Sequence, residues 1–110
     1  MSIIANLTQR FRIHAQLEAL SKSVAEDCQH AVWNLVADRA TSMSDNEAYG
    51  YVRARALTTV HAQAQRAVQI NELSQRHLPT VKELALELVV TSTLQALRQT
   101  VSQQPARRAA

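Results

Sequence analysis

An all-α bundle is the fold this sequence predicts, and three observations carry the prediction. One glycine and two prolines in 110 residues leave almost no material for hairpins. Eleven glutamines, together with abundant alanine and leucine, favour helix. Apolar residues also recur at steps of three and four along much of the chain. With 46% hydrophobic and 19% charged residues, the composition suits a folded chain, large enough for one core. The expected organisation is a single helical domain over 1–104, followed by a disordered basic tail at 105–110.

The first helix is expected over about 6–41. Ile13, Leu17, Leu20, Val24, Cys28, Ala31 and Leu35 follow one another at steps of three or four. At about 100° per residue they share one face, which Val32, Val36 and Met43 widen. The stripe runs through Ser21–Lys22–Ser23 without a phase break, so one continuous helix is preferred; a bend near Ser21 would give four helices instead of three.

Ser44 followed by Glu47 fits a capping box and opens a second helix, expected over about 45–76. Tyr49, Val52, Ala56, Val60, Ala64 and Ala67 form one stripe, and Gly50, Ala54, Leu57, His61, Ala64 and Val68 a neighbouring one. Small residues in both rows imply close backbone packing. Arg55 and Arg66 fall on the opposite side, whereas Arg53 falls within the apolar stripe. There it either meets Glu83, Glu87 or Glu18, or runs its stem along the stripe to reach water, which is the slightly favoured reading.

Thr80 followed by Glu83 repeats the capping signature after Pro79, which predicts a third helix over about 81–103. Val81, Leu84, Ala85 and Leu88 face one way, and Leu86, Val90, Leu94, Leu97 and Val101 nearly the other. A helix apolar on two sides needs cover on two sides. The expected answer is an antiparallel three-helix bundle that dimerises through this helix.

The function classes narrow by elimination. The net charge is +3, but the two arginines of the tail supply two of those charges and the body is close to neutral. That is a poor footprint for nucleic acid. Neither inter-helix turn contains glycine, as a helix-turn-helix usually would. Cys28 is alone and sits in an apolar stripe, so no intrachain disulfide, cysteine-built zinc site or activated thiolate is expected. Asp27 with His30 is the nearest approach to a carboxylate–histidine metal pair, and it points away from the apolar stripe. A single glycine cannot build a phosphate-cradling loop. No cofactor, metal or catalytic residue is expected.

The N-terminal apolar run is three residues long, too short for a signal peptide or a membrane span, and a reducing cytoplasmic setting follows by default. Trp33 lies opposite the main stripe of the first helix, where an aromatic anchor must be covered or half exposed. Phe11, between Arg10 and Arg12, makes a smaller patch. The expected function is a small, non-catalytic helical protein–protein interaction module, an adaptor or regulator that also self-associates. Its contact residues would be Trp33, Arg53, Leu86, Val90, Leu94, Leu97 and Val101. The alternative is a nucleic-acid-associated regulator touching phosphates through Arg55, Arg66, Arg107 and Arg108.

Overall fold

The computed structural model describes the backbone of residues 2–109 and the side chains of 5–102. Three long helices pack against one another: α1 (Ser2–Ala40), α2 (Asp45–Ile70) and α3 (Leu78–Ala109). A 3₁₀ turn at Gln75–His77 precedes α3, and the described residues contain no strand. The Cα radius of gyration is 17.5 Å and the extents are 68 × 24 × 20 Å. A compact chain of this length would have a radius near 13 Å, so the molecule is a rod. The expected tail at 105–110, with Arg107 and Arg108, lies outside the residues whose side chains are described.

Helix α1 runs unbroken through Ser21. That serine is buried, and its hydroxyl donates to the Leu17 carbonyl at 2.6 Å, which satisfies a polar group inside a helix. The buried face comprises Leu17, Ser21, Val24, Ala25, Cys28, Val32, Val36 and Ala40. Ala31 and Leu35, expected on that face, are exposed. From Cys28 onward the seam advances by fours rather than by threes and fours. Each step of four turns about 40° further round the helix, so Val32 and Val36 move to the centre and Leu35 falls off the edge.

Ser44 caps α2 as expected. Its oxygen accepts the Glu47 N–H at 3.4 Å, and its hydroxyl donates to Glu47 Oε1 at 2.9 Å. The acids Asp45 and Glu47 sit in the first turn, where the helix dipole favours them. The buried seam of α2 is Ala48, Val52, Ala56, Val60, Ala64 and Val68, alternating small and branched residues at every fourth position. The second expected row packs only at its end: Ala64 and Val68 are buried, but Gly50, Ala54, Leu57 and His61 are all exposed. A methyl group added at Gly50 would meet nothing within 4 Å.

Helix α2 ends at Ile70, short of the expected 76. Asn71 is the C-cap and Glu72 takes φ 55°. The Glu72 N–H bonds the Gln69 carbonyl at 3.1 Å and the Leu73 N–H bonds the Val68 carbonyl at 3.0 Å. This is a Schellman closure, with glutamate where glycine is usual. Leu73 then folds back onto the core, supplying the motif's apolar contact.

The third helix also starts earlier than its expected cap. Ser74 caps the 3₁₀ turn, accepting the Arg76 N–H at 3.4 Å, and α3 follows directly from Leu78. Thr80 therefore lies inside the first turn rather than ahead of it. Pro79 is accommodated there because the N–H it lacks would have no intrahelical acceptor. Leu78, although it precedes proline, is helical at φ −56°, ψ −47°.

Candidate interaction surfaces

Burial within α3 separates the expected contact residues into two groups. Leu86 and Val90 have no exposed area and Leu97 has 4%. Leu94 is partly buried against the same core. These four are spent inside the chain's own bundle and offer a partner little or nothing, contrary to expectation. The reason lies in the width of the buried arc. Val81, Ala85, Val89, Leu86 and Val90 span about half the circumference at about 100° per residue. Helices α1 and α2 cover that arc together, so a helix apolar on two sides is satisfied within one chain. Val101 remains 41% exposed, beside Ala40, Met43 and Ala48.

What α3 leaves uncovered is Leu84 and Leu88, at 38% and 44% exposure. With Glu18, Ser21 and Lys22 of α1, and Glu87 and Thr91 of α3, they line a mostly apolar groove of about 430 Å³. Sequence reasoning placed Leu84 and Leu88 with Val81 and Ala85 but could not fix which edge of that row the neighbouring helices would reach.

Arg53 settles on the side of pairing. Its guanidinium donates to Glu83 at 2.9 Å and to Glu87 at 3.2 Å, with the arginine side chain 35% exposed. The Tyr49 hydroxyl also donates to Glu87, at 3.0 Å. The favoured reading, an arginine reaching only water, is thereby corrected, and Glu18 is not its partner. The Glu83 hydrogen bond holds the Arg53 pKa up, and the Glu87 hydrogen bond raises that of Tyr49. Such half-exposed pairs fix register between two helices more than they stabilise them.

Trp33 is partly buried against the core. It lines a second groove with Glu26, Gln29, His30, Thr93 and Ala96. The Thr93 hydroxyl beneath it is buried without a hydrogen-bond partner. An unsatisfied buried donor of this kind is a local liability.

The remaining chemistry-bearing side chains are scattered. His14 bonds Glu18 at 3.0 Å, His30 bonds Asn34 at 3.3 Å, and His61 is exposed. Cys28 is buried, with its sulfur 3.9 Å from the Thr59 carbonyl, and burial pushes its thiol pKa up. Arg55 lies over the Tyr51 ring at 5.5 Å, and Arg66 lines a shallow groove with Asp27 and Gln63. Among the described residues no three His, Cys, Asp or Glu side chains group as metal ligands, and no helix is long and apolar enough to cross a membrane.

The amino-terminal part of α1 is the surface that sequence reasoning least anticipated. From Ala5 to Gln16 every side chain except Ile13 is exposed, and the buried face begins only at Leu17. Phe11 is 73% exposed and Leu7 48%. Comparison of the chain with family models, with curated proteins and with solved structures finds no match.

Proposed function

We propose that this chain is a small, non-catalytic helical interaction module that works by presenting apolar helix faces, to a protein partner and to a second copy of itself. One observation carries the reading. The bundle completes its own core, yet keeps an apolar groove at Leu84 and Leu88 and large side chains at Leu7 and Phe11 in water. Aromatic and aliphatic anchors exposed together are what an interface uses. The scattered acids and histidines, and a neutral, buried Cys28, give no support to a reaction centre.

Within the bundle we infer that α2 runs antiparallel to its neighbours. Arg98 approaches Asp45 at 3.8 Å while Glu83 and Glu87 pair with Arg53, so residue order on α3 falls as it rises on α2. Arg53 then acts as a register key between the two helices. Trp33, partly buried at the edge of the groove it shares with Thr93 and Ala96, is the second anchor available to a partner.

Affinity capture from the source cell tests the module. Parallel captures with wild type, Leu88→Glu and Trp33→Ala should show one discrete partner retained by the wild type and lost from at least one variant. Identical captures from all three would contradict the proposal.

A further inference from the structure

We infer that two copies of this chain exchange their amino-terminal helix arms, each arm (residues 5–16) lying in the Leu84–Leu88 groove of the other. The inference rests on the interaction-module reading and names one occupant for its groove.

Face continuity is the first argument. At about 100° per residue, Leu7, Phe11, Glu18 and Ala25 lie within about 40° of one another on α1. Further along, this face meets α3: Ala25 is buried, and Glu18, Ser21 and Lys22 form one wall of the groove. Along the arm the same face has no α3 beside it, because α3 begins only at Leu78. Arm and groove are thus the uncovered and half-covered parts of one stripe.

The second argument is symmetry. A two-fold axis near residues 14–15 of α1 would run the two α1 helices antiparallel there. One copy's Phe11 then comes opposite residue 18 of the other, and Leu7 opposite residue 22, the two α1 positions that flank the groove. Every contact is made twice, as an isologous interface requires. Leu7, Phe11, Leu84 and Leu88 are each used in both halves, which helps a 12-residue arm toward the roughly 800 Å² per partner of a stable interface.

Charge is the third. Arg10 and Arg12 flank the apolar face of the arm, one on each side, and among the described residues neither has an ion-pair partner within the chain. The groove carries Glu18, bonded to His14, and the cation Lys22 on its α1 wall, and Glu87, paired with Arg53 and Tyr49, on its α3 wall. Both acids remain exposed, so the arm's bases would join existing pairs there, and opposite charges at a rim set register and speed encounter.

Sedimentation equilibrium across micromolar concentrations tests this directly. Wild type should be a dimer, and Phe11→Glu and Leu88→Glu should each weaken it about 30-fold or more, the loss of a strong anchor. Phe11 lies outside the core, so that variant keeps the fold; circular dichroism checks Leu88→Glu. Mixing the two variants should give a heterodimer of intermediate strength, because one intact arm still meets one intact groove. A wild-type monomer throughout, or a dimer indifferent to both substitutions, would overturn the arm exchange. A wild-type monomer would also remove self-association from the broader reading, whereas the capture of a partner through Trp33 stands or falls on its own experiment.

Discussion

The two parts of α1 have the same secondary structure and similar residues but different surroundings. From Leu17 to Ala40 the helix buries a face against α2 and α3, and the residues there are one Leu, three Val, two Ala, Cys28 and a serine bonded to its own helix. From Ala5 to Gln16 only Ile13 is partly covered, although Leu7 and Phe11 stand at the spacing of a packing face. Periodicity therefore specifies that a helix has an apolar side. Whether that side is covered depends on where the neighbouring helices begin and end, here at Ile70 and Leu78.

Substituting large apolar residues in the covered and uncovered regions should break the comparison most sharply. Leu86→Ala removes a side chain with no exposed area and should cost about 3 kcal/mol in urea unfolding. Phe11→Ala, at dilution where copies are separate, should change stability by no more than about 0.5 kcal/mol. Equal losses would mean that the arm is part of the core.

Thr93→Val sharpens the covered side. It replaces the unpartnered hydroxyl with a methyl group of similar size, and a gain of about 1 kcal/mol is expected. A loss of that size would show that the hydroxyl has a partner, such as a bound water.

Two backbone substitutions come next. Gly50→Ala meets no neighbouring atom and should add about 0.5–1 kcal/mol by removing glycine's unfolded-state freedom. Glu72→Gly relieves a positive φ and should gain up to about 1 kcal/mol. Thermal melts that move down in either variant would contradict the packing described.

The smallest effect is alkaline. Cys28 and Tyr49 have folded pKa values raised above 9.0 and 10.0 respectively. The unfolded chain loses those protons first, so stability is full below pH 9.0 and declines as pH rises beyond it. Urea midpoints unchanged on crossing both values would show that neither group is held by the fold.

Much of the architecture was legible in the sequence because it follows from local chemistry. The lack of turn residues, the Ser44 cap and the four-step seam of Val52, Ala56, Val60 and Ala64 each point to one structure. The second boundary was misread because two acceptable caps compete, and the closure at Glu72 contains no glycine to announce it. The contact residues on α3 were misassigned for a different reason. Leu86 and Leu88 are two residues apart and equally apolar, and only the approach of α1 and α2 decides which is buried. Pairing of Arg53 was within reach, since Glu83 and Glu87 stand one turn apart, but the choice of partner required the register between helices.

Amide hydrogen exchange along α1, measured on dilute and on concentrated protein, tests most directly the claim that its two parts differ only in cover. When copies are separate, the amides of residues 5–16 should exchange quickly while those from Val24 to Val36 stay protected. Concentrating the protein should slow exchange over 5–16 and together with it over Leu84–Thr91. Protection of the arm that is already complete in the dilute sample, or that never appears on concentration, would contradict the account.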